Sequence, residues 1–215
     1  MKKHPPIPAQ GPRANDRMSR RLILSLAIVL LFIPDRALSQ SYRKAVGFPP
    51  TEIYQSIFNF IGQKEYAKIP RALMVLSPIT DHIADKFKNN PADVVERAVE
   101  RGDPAEILSS VQALLVLDIK DLLDDAGRRV EESSEDAKTH VDAARLDYEL
   151  LSPFIQSMAL QEDQKIRKLF SNSLKAFGTK TLYSAEKPNA NPSQVKRLCA
   201  EIVAGLSEIF PQKTP

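Results

Sequence analysis

The chain has 215 residues, of which 43% are hydrophobic and 27% are charged, and its formal net charge at pH 7 is +3. This composition is typical of a globular protein and excludes a disordered or fibrous chain. The single cysteine, Cys199, excludes an internal disulfide framework and a CxxCH haem attachment.

An apolar run near the N-terminus predicts an export signal. Residues 22–33 contain one serine and are otherwise apolar, and they directly follow Arg20 and Arg21. A helix of this length spans about 18 Å, whereas the hydrocarbon core of a bilayer is about 30 Å thick. Small residues lie a few positions after the run, so we predict a cleavable signal peptide that ends at Ser39. A retained N-terminal membrane anchor is the alternative.

The predicted cleavage divides the chain into two parts. Residues 1–39 comprise an n-region extension and the signal peptide, and residues 40–215 are expected to form one domain. Met18 offers a second start, which would give the signal an ordinary length. The paired arginines also permit a twin-arginine signal, but the apolar run is too hydrophobic to favour that route. We therefore expect ordinary export, with a periplasmic or secreted product.

Removal of the signal also removes most of the excess basic charge. Residues 40–215 contain 23 basic and 25 acidic residues, which gives a net charge of −2. Nucleic-acid binding therefore has no support from the charge of the domain. Residues 91–150 carry 16 acidic and 7 basic residues, between flanking segments of positive net charge. This asymmetry favours packing of the segments against one another, or a cationic partner.

Apolar residues recur at helical spacing throughout residues 40–215, and no convincing run alternates with the period of two that marks a strand. The sequence predicts an all-α helical bundle of about five to seven helices, some of them kinked at Ser-Pro. In chain order, these are kinked helical stretches from about Pro50 to Lys88, a short helix from Pro91 to Gly102, a long helix from Pro104 to about Arg129, and apolar stripes at Val130–Ile155, Ile166–Phe177 and Val195–Phe210. Residues 179–192 are expected to be irregular, and Cys199, inside the last stripe, is expected to be buried and inert.

The long helix that begins at Pro104 is apolar around nearly its whole circumference, which predicts a central position. Asp118 points from its main apolar face, and Asp125 lies almost directly beneath it. A buried carboxylate must be paired, protonated or bound to a metal, because an isolated buried charge costs several kcal/mol. Asp118 therefore either pairs with a donor from a neighbouring helix or, with Asp121 and Asp125, lines a cation or ligand site between helices.

Two histidines belong to the predicted domain, His82 and His140, and each flanks an apolar stripe. His140 lies one turn after Asp136 and two turns before Asp147, a geometry that suits a metal but more often forms a surface ion pair. Neither histidine has a glutamate three residues before it, which di-iron helical bundles require.

One internal echo is present in the sequence. VLSPI at residues 75–79 and LLSPF at residues 150–154 are 75 residues apart, and the apolar stripes that follow them keep the same offset. The echo indicates either a weak internal duplication or a coincidence between unrelated helices. In both cases each Ser-Pro is expected to kink its helix or to start a new one, with serine as N-cap and proline in the first position.

The sequence contains no HExxH, P-loop, GxSxG or dinucleotide-binding glycine motif. We therefore expect an exported helical-bundle protein that is a binding or accessory module rather than an enzyme, with an envelope protein complex or a small ligand as its partner. The alternative is a helical bundle that binds a metal or cofactor through internal carboxylates and histidine. The candidate binding residues in either case are Asp118, Asp121, Asp125, His82 and His140.

Overall fold

A computed structural model describes residues 50–178 and 190–211, all of which belong to one compact unit, Tyr42–Pro215. The predicted signal peptide lies outside the described residues, as does most of the predicted irregular stretch before Pro192. The described residues form six α-helices and one 3-10 turn, without a strand, so the all-α prediction is confirmed. The helices are α1 (Pro50–Gly62), α2 (Ile69–Phe87), α3 (Pro91–Arg101), α4 (Pro104–Arg129), α5 (Ser134–Ala176) and α6 (Pro192–Ile209), with the 3-10 turn at Tyr66–Lys68.

The helix boundaries follow capping residues in the sequence. The Asp103 side chain accepts a hydrogen bond from the backbone N–H of Ala105 at 2.9 Å, so it caps the start of α4. Asn191 caps α6 in the same way through the N–H of Gln194, at 3.1 Å. Gly102 ends α3 with a φ of 71°, a left-handed conformation that glycine adopts without steric cost.

Helix α4 lies at the centre of the bundle and contacts each of the other five α-helices. Every residue from 114 to 123 is buried, which covers almost three full turns. A helix that is buried around its whole circumference must be enclosed on all sides. The central position predicted from its apolar circumference is therefore confirmed.

Helix α5 is a hairpin of two antiparallel arms. Ala159 has non-helical backbone angles, φ −152° and ψ 67°. The ring centroids of Tyr148 and Phe170 are only 5.3 Å apart, although a straight helix would separate these residues by about 33 Å. The chain must therefore reverse direction at Ala159. Residues 134–158 form the first arm, and residues 160–176 form the second arm.

The reversal does not occur at the Ser-Pro sequences. Pro78 lies inside α2 and Pro153 lies inside the first arm of α5, so the alternative in which each proline starts a new helix is wrong. Leu151 and Ile155, on either side of Pro153, are both fully buried. We attribute the continuity of the first arm to this burial, which continues the apolar stripe across the proline and favours the helical path despite the lost backbone hydrogen bond.

The C-terminal helix closes the bundle against α4 and α5. Its predicted apolar stripe is buried, and the side chain of Ile166 lies 3.4 Å from the position that a Cβ atom would take on Gly205. The backbone N–H of Asn191 donates to the carbonyl of Ala176 at 2.8 Å, which joins the start of α6 to the end of α5.

No helix within residues 50–178 and 190–211 is both long enough and apolar enough to cross a membrane.

Candidate functional site

The three aspartates predicted on α4 are all buried, but the contacts described for them differ. Asp118 is 0% exposed, Asp121 6% and Asp125 3%. Asp125 forms an ion pair with Arg128, one turn further along the same helix. Asp121 is paired with side chains of α2. In the part of the chain that the structure describes, no group of three or more histidine, cysteine, aspartate or glutamate residues is placed to hold a metal ion.

Asp121 belongs to a charged cluster between α2 and α4, which consists of His82, Lys86, Asp121 and Asp124 and is called here the α2–α4 cluster. The Lys86 ammonium donates to Oδ1 of Asp121 at 2.8 Å and lies 3.1 Å from Oδ2 of Asp124. Nε2 of His82 lies 3.4 Å from the same Asp121 oxygen. The structure thus brings together two of the candidate residues, His82 and Asp121, and adds a lysine that the sequence did not single out.

The contacts of the α2–α4 cluster oppose the effect of burial on Asp121. Burial alone would raise the pKa of this carboxyl, but hydrogen bonds from His82 and Lys86 lower it to about 2. In return, the contact with Asp121 raises the pKa of His82 above its ordinary value of 6.5, and burial opposes that rise. Asp121 is therefore ionised at neutral pH and is held by side chains of another helix.

His140 lies on the first arm of α5. Its side chain is buried, and Nδ1 lies 2.7 Å from the carbonyl oxygen of Asp136, one turn earlier. Asp147, two turns later, accepts a hydrogen bond from the Thr51 hydroxyl at 2.5 Å and so joins the arm to α1. The described contacts of these residues are structural.

Sequence reasoning missed a second polar cluster, which joins the two arms of α5. Asp163 is 1% exposed and accepts four hydrogen bonds. The donors, with their distances to the carboxylate oxygens, are Tyr148 at 2.7 Å, Ser152 at 2.5 Å, Gln156 at 3.0 Å and Arg167 at 3.0 Å. We call these five residues the hairpin network.

The hairpin network occupies the full hydrogen-bonding capacity of its carboxylate. Tyr148 and Ser152 share Oδ1 of Asp163, while Gln156 and Arg167 share Oδ2. An ionised carboxylate offers about four acceptor positions, and here all are used. Burial opposes ionisation of Asp163, but the four donors outweigh it and hold its pKa below the ordinary value. The geometry therefore favours a structural role for Asp163.

The sequence did contain one signal for Asp163. It lies three residues before Ile166 and seven before Phe170, both of which are buried on the second arm. It therefore extends their apolar stripe by one turn toward the N-terminus. An aspartate in line with an apolar stripe is the same signal that identified Asp118 on α4.

The reversal of α5 presents apolar side chains to solvent. Met158 is 64% exposed and Leu160 is 54% exposed, on either side of Ala159. Residues 156–161 form the hairpin tip, and no charged residue occurs anywhere in residues 150–161. The tip thus combines two large apolar side chains with amide and hydroxyl groups, a surface suited to binding an uncharged apolar partner.

Cys199 on α6 is 3% exposed, and burial raises the pKa of its thiol to about 12. The thiol is therefore protonated at neutral pH, and its predicted burial within the apolar stripe is confirmed.

No family model, curated protein or solved structure matches this chain. The described residues define an all-α bundle around a central helix.

Proposed function

We propose that this chain is an exported, non-catalytic helical bundle that acts as a binding module for a protein partner of the cell envelope, in the periplasm or after secretion. The hairpin tip makes the contact. The observation that carries the proposal is the exposure of Met158 and Leu160 on either side of the chain reversal, at 64% and 54%.

The composition of the hairpin tip supports a binding role. A solvent-facing reversal is usually built from glycine, proline and small polar residues, whereas this one has Met158, Ala159 and Leu160. Isolated exposed apolar residues are common and need no explanation. Here Met158 and Leu160 lie on either side of Ala159, within a stretch, residues 150–161, that contains no charged residue. Methionine adapts its shape to an apolar partner, because its side chain is unbranched and flexible.

The hairpin network supports the same proposal, because it fixes the tip before any partner arrives. Its donors come from both arms, with Tyr148, Ser152 and Gln156 before the reversal and Arg167 after it. A surface that is already ordered loses little conformational entropy on binding, so more of the apolar burial contributes to affinity.

The non-catalytic part of the proposal is supported by two of the buried acids. Asp163 has its acceptor positions filled, and Asp121 is paired with Lys86. A general base needs a free position toward substrate. Export is supported by the sequence of residues 19–39 alone.

The binding proposal is tested with two matched double variants, Met158→Gln with Leu160→Gln at the tip, and Met74→Gln with Leu146→Gln elsewhere. Met74 and Leu146 are 73% and 47% exposed, so the control removes the same residue types from exposed positions. Each protein is produced in its native host, cross-linked in intact cells and purified with its partners. We expect a discrete envelope protein with the wild type and the control, and its loss with the tip variant. Equal retention by the tip variant would contradict the proposal.

Export is tested separately by cell fractionation and N-terminal sequencing of the protein from its native host. We expect the mature chain outside the cytoplasm, with Gln40 as its first residue. Accumulation of uncleaved protein in the cytoplasm would overturn this part of the proposal and leave the binding test unaffected.

A further inference from the structure

The α2–α4 cluster contains one more negative than positive charge when His82 is neutral. Asp121 and Asp124 each lie close to the Lys86 ammonium, at 2.8 Å and 3.1 Å, so the two carboxylates share this ammonium. Asp124 also interacts at longer range with Lys120 of its own helix. Asp125, the next residue on α4, is paired with its own arginine, Arg128. A proton on His82 would balance the cluster.

We infer that the α2–α4 cluster is a pH-sensitive latch, in which protonation of His82 adds a positive charge beside Asp121 and holds the C-terminal end of α2 against α4. The geometry is suited to this role, because Nε2 of His82 is already 3.4 Å from Asp121. The His82 side chain is 28% exposed and exchanges protons with solvent, whereas the Asp121 side chain is 8% exposed and remains fixed.

The charges around His82 favour its protonated form. Among residues 50–178 and 190–211, the charged groups that act directly on His82 are Asp121 and Asp125 of α4, which raise its pKa, and Lys86 of its own helix, which lowers it. Asp124 acts on His82 through the Lys86 ammonium, which it shares with Asp121. Helices α1 and α3 also pack on α2 but contribute none of these groups. Because the pKa is raised in the folded protein, the stabilisation is complete below the ordinary value of 6.5 and is lost as pH rises through the folded value.

The end of α2, which the latch holds, is followed by a residue in an unfavourable backbone conformation. Helix α2 ends at Phe87, and the φ of 53° at the following residue, Lys88, places a residue with a side chain in the left-handed region. The interactions of His82 and Lys86 lie in the last two turns before this point. Loss of one of them is therefore expected to open the end of α2 locally, before the bundle unfolds. This inference does not depend on the hairpin tip or on its partner.

The latch is tested on the full chain by NMR titration of the histidine side chains in the wild type, Asp124→Asn and Asp142→Asn. Asp124 and Asp142 are exposed to similar extents, 47% and 43%, but only Asp124 belongs to the cluster. We expect His82 to titrate above 6.5 in the wild type and in Asp142→Asn. Its midpoint should fall in Asp124→Asn, because Lys86 then neutralises Asp121 alone. A wild-type midpoint at or below 6.5, or equal midpoints in the two variants, would overturn the inference.

Hydrogen exchange provides the structural readout. After correction for intrinsic rates, the protection of residues 84–90 in the wild type should fall as pH rises through the His82 midpoint that the NMR titration measures, because His82 loses its proton there. Protection of residues 195–206 in α6, an internal control, should stay constant. The pH dependence at the end of α2 should disappear in His82→Gln. If it persists in that variant, the latch does not act through His82.

Discussion

The hairpin network and the α2–α4 cluster each centre on a buried aspartate, yet they are built from different partners. Asp163 receives two hydroxyl groups, an amide and a guanidinium. Asp121 is held by Lys86 and His82. Both carboxyls have a pKa below the ordinary value, in spite of their burial.

The two clusters differ in how the donors to their central aspartate respond to pH. Most donors to Asp163 are neutral and keep their hydrogen atoms across the physiological pH range, so they fix the geometry of the chain reversal. Both partners of Asp121 act through charge, and one of them is a histidine, whose pKa the contact with Asp121 raises above its ordinary value of 6.5. The buried Asp163 thus fixes the structure of the hairpin. The interactions of the buried Asp121, in contrast, change with the protonation of His82.

The strongest test of this comparison removes the carboxylate from the hairpin network. Asp163→Ala leaves four donors without their acceptor inside a buried site, and we expect it to lower the free energy of unfolding by about 3 kcal/mol. Urea unfolding followed by circular dichroism measures this loss. The matched control is Glu162→Ala, the preceding acid, which is 39% exposed and contacts only Lys165 among the ion pairs described. It should change stability by less than about 0.5 kcal/mol. Similar losses in the two variants would show that Asp163 does not hold the reversal.

The sequence predicted the fold well wherever the signal was local. Asp103 marks a helix start through its side-chain oxygen, and Gly102 marks a helix end through its left-handed backbone. The enclosed position of α4 follows from apolar residues on all its faces. The reversal at Ala159 escaped prediction because neither glycine nor proline marks it. It is stabilised by contacts between the arms, such as the one between Tyr148 and Phe170, which no short window of sequence contains.

The same limit applies to the candidate sites. Asp121 was singled out because it shares a helix with other internal acids. Its pairing with Lys86 joins residues 35 positions apart on different helices, and helical periodicity does not encode such a pairing. Lys86 itself resembled an ordinary surface lysine, since its charge lies at the edge of an apolar stripe.

The second test removes the corresponding charge between α2 and α4. Asp121→Asn leaves Lys86 with Asp124 and keeps a hydrogen-bonding side chain, so its cost should be smaller than that of Asp163→Ala, about 2 kcal/mol at neutral pH. Urea unfolding is again the measurement. A loss as large as that of Asp163→Ala would mean that the partial exposure of the α2–α4 cluster to solvent does not reduce the cost of removing its central charge.

The third test uses acid to discharge Asp121 without mutation. Its pKa is about 2 in the folded protein and 3.8 ordinarily, so its stabilising contribution is present above 3.8 and disappears as pH falls through about 2. By about pH 3, the wild type should lose about 1 kcal/mol of its advantage over Asp121→Asn. Thermal unfolding of both proteins across the acidic range measures this convergence. Parallel curves would show that Asp121 gains no stabilisation from its cationic partners.

Salt should change the stability of the variants least, but it should distinguish the α2–α4 cluster from the hairpin network most clearly. In about 1 M sodium chloride the screening length falls to about 3 Å, which weakens charge interactions that solvent can reach. The ammonium of Lys86 belongs to a side chain that is 22% exposed, so salt should reduce the cost of Asp121→Asn by a few tenths of a kcal/mol. The cost of Asp163→Ala should not change, because three of its four donors are neutral and short-range hydrogen bonds are not screened. If salt reduced the stability losses of Asp121→Asn and Asp163→Ala equally, the hairpin network would be stabilised by the charge of Arg167 alone. The proposed difference between Asp163 and Asp121 would then be wrong.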